Sequence, residues 1–156
     1  MDLPNHYAGP LDSPGYWLWH AALRWTAALT DVLRELELTP VQFFALGGLA
    51  WLTTERDSGV SQRALSDHTG LDASMLSRVL RGLEDRGLVR REPDIADARA
   101  HRVQLTGKAR ELLVRAKPLV VAADRRFFGG LANLGAVEFR QLLAQLTIDN
   151  AKGSAE

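Results

Sequence analysis

Apolar residues recur every three or four positions over most of this chain, and the pattern switches to alternation in one short stretch. Leu18, Ala22, Trp25, Leu29, Val32 and Leu36 are spaced by four, three, four, three and four, the stripe of a helix that packs along its length. Ser13 and Pro14 precede it, an N-cap followed by the residue best tolerated at the first helical position. Thr39 and Pro40 start a second helix that runs to about Thr54. Thr106 caps another, which carries Leu112, Leu113, Ala116, Val120 and Ala123 toward Phe127 and which Pro118 is expected to kink or split. After Gly129, Gly130 and a loop near Gly135, a last helix presents Val137, Leu142, Leu143 and Leu146.

The middle of the chain reads as helix, glycine turn, helix and strand pair. Ser61 can N-cap a short helix holding Leu65, and Gly70 supplies the tight turn after it. Asp72 caps the next helix, whose buried stripe is Leu76, Val79, Leu80 and Leu83, and Gly87 stops it. Ser74, Ser77, Arg78 and Arg81 therefore project away from the core. Hydroxyls and guanidinium forks on such a helix suit a major groove, where Arg bonds two acceptors on guanine. Read in isolation, the same residues are an ordinary solvated face.

The neighbouring strands favour the first reading. Leu88 to Glu92 and His101 to Leu105 read as short strands, linked by the turn-rich run Pro93 to Ala100. Arg90 and Arg91 enter this hairpin, and Arg99 and Arg102 lie on its tip and return strand, so cations concentrate on one small projecting element. An Arg in a narrow minor groove gains from its negative potential, and Asp97 is placed to hold the Arg99 guanidinium ready. A surface hairpin with an unremarkable ion pair is the alternative, since exposed pairs contribute only about 0 to 1 kcal/mol.

These residues resemble the multiple-antibiotic-resistance regulator (MarR) family of bacterial winged-helix repressors, over roughly Ser13 to Asn150. The run Leu83-Glu84-Asp85-Arg86-Gly87-Leu88-Val89-Arg90-Arg91, the wing sequence Asp97-Ala98-Arg99 and the run Leu105-Thr106-Gly107-Lys108 carry the resemblance. It implies a mainly α fold with a small β-hairpin wing, a winged helix-turn-helix flanked by N- and C-terminal dimerisation helices. One MarR-like domain is expected over 1–156, with 13–38 and 107–150 forming the dimer and 39–106 the DNA-binding lobe. The family's wing aspartate positions its wing arginine for the minor groove, roles that fall here on Asp97 and Arg99. Family wings often carry two adjacent arginines; here Ala100 follows Arg99, and whether Arg102 replaces the missing cation stays open. The candidate DNA contacts are Ser61, Gln62, Ser74, Ser77, Arg78, Arg81, Arg90, Arg91, Asp97, Arg99 and Arg102, and the partners are a double-stranded operator and a second copy of the chain.

Composition sharpens this picture in one respect. The chain has 156 residues, 46% hydrophobic, a length suited to one domain with a real core, and its net charge is zero. That neutrality is uneven: Ser74 to Arg110 holds nine Arg or Lys against five Asp or Glu, whereas Met1 to Glu55 holds two against six. A local cationic surface on a neutral protein predicts modest, salt-sensitive nonspecific DNA binding. There is no cysteine, which excludes disulfides, thiolate metal sites and a cysteine redox switch. With neither a signal-like start nor a membrane-length apolar run, the protein is expected in the cytoplasm.

The first two helices hold Trp17, Trp19, His20, Trp25, Phe43, Phe44 and Trp51, most of the large aromatic surface. Such clusters are usually core. The resemblance supplies a second reading, a cleft for a small aromatic or phenolic effector between the dimer helices and the winged lobe. Trp17, His20, Arg24, Phe43 and Phe44 are its candidates, with Arg24 suited to a carboxylate or phenolate unless it stacks on Trp25 or faces solvent. Gly47 and Gly48 inside the second helix serve either close packing or a wider pocket. No catalytic motif and no local ligand pair for zinc are present among His6, His20, His68 and His101, so neither catalysis, a metal nor a cofactor is expected. The competing function is a winged-helix module that binds protein without specific DNA affinity.

Overall fold

A computed structural model describes residues 8–53, 59–93, 101–131 and 136–153. Its elements are α1 (Pro14–Leu33), α2 (Pro40–Leu52), β1 (Val60–Ser61), α3 (Gln62–Thr69), α4 (Ala73–Asp85), β2 (Val89–Pro93), β3 (His101–Leu105), α5 (Gly107–Phe128) and α6 (Ala136–Gly153), joined in places by single 3-10 turns. The chain divides into two compact units, Met1–Val120 and Val121–Glu156.

Helix starts follow side chains able to satisfy an orphan amide. The Ser13 hydroxyl accepts from the Tyr16 amide at 3.4 Å. Thr39 and Gln42 form a reciprocal capping box, with bonds of 3.2 and 3.1 Å, ahead of Pro40 at the first position of α2. Ser61 accepts from Ala64 at 3.1 Å, Asp72 from Met75 at 2.9 Å and Thr106 from Ala109 at 3.2 Å. Each such cap contributes about 1 kcal/mol to its helix.

In the first unit, α2 packs on α3 and α4. Leu46 and Leu49 of α2, Leu65 of α3, and Leu76, Leu80 and Leu83 of α4 are fully buried. Gly48 makes this packing possible, because a Cβ there would meet His68, Thr69 and Leu65 of α3 at 3.0 to 3.2 Å. Gly47 faces no atom within 4 Å, so close packing explains only the second of the two glycines. Val79, expected in the buried stripe, is half-buried on the flank of α4.

The strands form a three-stranded antiparallel sheet in the order β1-β3-β2. The expected hairpin is β2 and β3, with Val89 opposite Leu105 and Pro93 opposite His101; its first strand begins one residue later than the alternation suggested. The third strand, β1, was not expected. Val60 pairs with Val103, and Ser61 therefore both closes the sheet and caps α3. Gly59 admits this strand at φ +72°, where a Cβ would lie 2.9 Å from the Gln104 side chain and 3.2 Å from the Val103 carbonyl.

The α1 stripe is buried only toward its C-terminal end, at Leu29 and, in the following turn, Leu36; Val32 is half-buried, its neighbour Leu33 is the buried residue there, and Leu18 is 55% exposed. Pro118 lies inside α5 without splitting it. Proline's fixed φ is helical, so it removes one amide bond and crowds one carbonyl while the flanking turns continue. In the second unit, Phe128 meets Phe127 at 5.0 Å and Phe139 of α6 at 5.7 Å between ring centroids. Val137, Leu142 and Leu146 of α6 are exposed.

Candidate nucleic-acid interface

The geometry of the reading head is set by two turns. Gly70, at φ +70°, ends α3, and its amide bonds the Ser66 carbonyl at 2.9 Å. Gln62, at the start of α3, reaches the Ala73 carbonyl at 3.4 Å and Ser66 Oγ donates to the Leu71 carbonyl at 2.5 Å, so the start of α4 is tied to α3. Gly87, at φ +66°, ends the turn after α4; its amide bonds the Glu84 carbonyl at 2.8 Å and that of Leu88 bonds Leu83 at 2.9 Å. A rigid helix-turn-helix with a hairpin close behind it results.

With the α4 leucines inside, Ser74, Arg78 and Arg81 are exposed and Ser77 is half-exposed. Among the described residues no carboxylate pairs with Arg78, Arg81 or Arg90. An unpaired guanidinium on a protruding helix is free to donate its fork to a base edge or phosphate. Ser61 and Gln62 sit at the entrance to α3 with their polar atoms engaged by the cap and by Ala73. Asp97 and Arg99 lie outside the described residues.

Four other cations are committed to the framework. Arg91 donates from Nε and Nη2 to one oxygen of Glu84, at 2.8 and 2.6 Å, and this bond holds the Glu84 carboxyl below the usual carboxylate range. Arg102, opposite Glu92 across the hairpin, donates to the Gly59 carbonyl at 3.1 Å and so braces the edge strand. Arg86, just past α4, donates to the Glu37 carbonyl at 2.6 Å, and Lys108 of α5 donates to the Arg86 carbonyl at 2.9 Å. Glu84, Arg86 and Lys108 all belong to the motif runs, but their bracing role depends on partners that sequence spacing does not reveal.

Residues 36–100 match the MarR family. A wider relative extends the match: the HTH-type transcriptional regulator YdcH of Bacillus subtilis is 31% identical over 128 residues, covering 82% of this chain and 86% of its own. The chain belongs to the MarR family. The HTH-type transcriptional repressor Rv2887 of Mycobacterium tuberculosis is also similar, 31% identical over 139 residues, with 88% of this chain and 96% of its own covered. Two solved structures of CouR have the same architecture. CouR from Rhodococcus jostii bound to p-coumaroyl-CoA superposes with a TM-score of 0.76 at 28% identity, covering 90% of this chain and 95% of that one. The transcriptional repressor CouR bound to a 23-mer DNA duplex gives 0.70 at 30%, covering 95% and 99%. This MarR-family chain is a DNA-binding transcriptional regulator built on a winged helix, and its relatives are regulators and not enzymes.

In this MarR chain the ring contacts of α1 and α2 gather in two places. Trp25 of α1 meets Phe44 of α2 at 5.7 Å, and Phe44 meets Phe43 at 5.5 Å. Nearer the start of α1, Tyr16 contacts Trp17 at 5.3 Å and His20 at 4.2 Å, while Trp17 Nε1 donates to the Leu11 carbonyl at 2.8 Å. Arg24 is exposed on α1. Trp17, Trp19 and Trp51 are 55%, 64% and 72% exposed, far more than core residues would be.

Proposed function

We propose that the protein is a cytoplasmic, homodimeric repressor that occupies a pseudo-palindromic operator and is released by a small aromatic or phenolic ligand. The observation that carries this reading is the face of α4, where Ser74, Arg78 and Arg81 stand exposed beside a hairpin that adds Arg90. Arg78 and Arg81 reach base edges and phosphates of a major groove, and the wing carries Asp97 and Arg99 toward the adjacent minor groove. Ser61, Gln62, Arg91 and Arg102 support that surface from its framework.

The whole chain acts as one MarR-like domain, with 39–106 as reading lobe and 13–38 and 107–150 as dimerisation helices. Exposed Trp17, Leu18, Trp19 and Leu23 on α1, and Val137, Leu142 and Leu146 on α6, support this assignment. A two-fold protein presents its recognition helices to half-sites about 34 Å apart and doubles its phosphate contacts. Rv2887 is named a repressor, and CouR has been solved both on DNA and with p-coumaroyl-CoA. By analogy, a ligand among Trp17, His20, Arg24, Phe43 and Phe44 stabilises a dimer shape unsuited to consecutive grooves.

Sedimentation of the protein with a duplex from its own upstream region tests this directly. Two chains per duplex, released by p-coumaroyl-CoA or a free phenolic acid, are expected. A single-chain mass at micromolar concentration contradicts the dimer, and undiminished binding across a panel of aromatic acids contradicts the ligand.

A further inference from the structure

Arg90 and Arg91 are adjacent in sequence and opposite in use. Side chains alternate across a strand, and Val89 is buried, so Arg91 emerges on the core side of β2 while Arg90 faces away and is exposed. On that side Arg91 meets the last turn of α4, giving both Nε and Nη2 to Glu84 Oε2, with its side chain 21% exposed and that of Glu84 36%. The turn from α4 to β2 at Gly87 is itself held to α5 and its cap, the Gly87 carbonyl accepting from the Thr106 hydroxyl at 2.8 Å and the Arg86 carbonyl from Lys108 at 2.9 Å, but beyond that turn the body of β2 still has to be set against α4. The pair bridges that turn. Arg81, three residues before Glu84 on α4, is exposed and unpaired among the described residues.

We propose that Glu84 and Arg91 form a positioning strut that sets the wing against the recognition helix, and that Arg91 makes no phosphate contact. The proposal rests on reading α4 as the DNA-reading helix. Its consequence has a distinctive sign. Removing a carboxylate beside a DNA-binding face ordinarily tightens binding to any duplex, because phosphates are the dominant partner. If Glu84 instead holds the wing in register, its removal weakens binding to the operator and leaves random DNA bound as well as before or better.

The test uses a duplex selected by the full-length wild-type protein from a random-sequence pool, with a scrambled duplex as reference, across a salt series. Failure of any sequence to enrich would defeat the DNA-reading assignment itself, separately from the strut. Glu84→Ala and Arg91→Ala are each expected to lower the ratio of operator to scrambled affinity about tenfold. The double variant should be no worse than either single one. The slope of log affinity against log salt should stay at the wild-type value in Arg91→Ala, whereas Arg90→Ala should reduce it by about one. A variant that is merely less stable loses active protein on both duplexes and leaves the ratio unmoved. Exchanging the partners, Glu84→Arg with Arg91→Glu, should restore most of the ratio in a chain whose circular dichroism matches wild type. Tighter operator binding by Glu84→Ala, or a slope reduced by about one in Arg91→Ala, would make Arg91 a phosphate contact and overturn the strut. An unchanged ratio in both single variants, or a folded exchange variant as poor as they are, would overturn it equally.

Discussion

Helices α4 and α1 carry apolar stripes of the same helical spacing, yet the chain uses them differently. In α4, Leu76, Leu80 and Leu83 are fully buried against α2 and α3, and the opposite face is left to arginine and serine. In α1 the stripe is buried at Leu29, beside buried Leu33, but open at Leu18, with Trp17, Trp19 and Leu23 exposed around it. Spacing fixes that a helix has an apolar side; it does not specify what covers that side. The α4 stripe is satisfied within its own unit, and the open half of α1 is the surface the proposed second copy would take.

The largest expected effect breaks the satisfied side of this comparison. Leu80→Ala leaves a cavity between α4 and its neighbours and should cost about 2 to 5 kcal/mol in chemical denaturation. Leu18→Ala should instead weaken self-association, seen as a concentration-dependent mass in sedimentation, with little change in the far-ultraviolet spectrum. Equal losses of stability in dilute single chains would erase the distinction drawn between the helices.

A smaller pair sharpens it within α2. Gly48→Ala drives a methyl into His68, Thr69 and Leu65 and should destabilise by about 1 to 3 kcal/mol. Gly47→Ala meets open space and should stabilise the helix by up to about 1 kcal/mol. The smallest effect is electrostatic. Glu84 has its carboxyl lowered chiefly by the Arg91 hydrogen bond, so its stabilisation is full above the ordinary carboxylate range and is lost as pH falls through the lowered value. Wild type and Glu84→Ala should therefore differ in melting temperature at about pH 7, and the difference should shrink as pH falls below the ordinary glutamate range.

Much of the reading lobe was legible because its signals are local. Ser61, Asp72 and Thr106 cap helices where an N-cap side chain was expected, and Gly70 and Gly87 adopt the positive φ their turns require. What escaped was long-range. Nothing near Val60 predicts that it will pair with Val103, because a two-residue strand has too little alternation to read. The basic run likewise suggested that Arg90, Arg91 and Arg102 face one ligand. Strand alternation and register turn Arg91 toward Glu84 and Arg102 toward the Gly59 carbonyl, leaving Arg90 exposed. Charge counts locate a basic element, and only the paired geometry separates free guanidinium groups from those that brace the framework.

Operator affinity across a salt series, for wild type and Arg81→Ala, bears most directly on the central claim that the exposed face of α4 reads DNA. With an upstream duplex and a scrambled competitor, wild type should prefer the upstream duplex. Arg81→Ala should bind it about 1 to 3 kcal/mol more weakly, and its salt slope should fall by about one if Arg81 contacts phosphate and stay unchanged if it contacts a base. Equal binding of both duplexes by wild type, or an Arg81→Ala variant that binds the upstream duplex as well as wild type, would contradict the account.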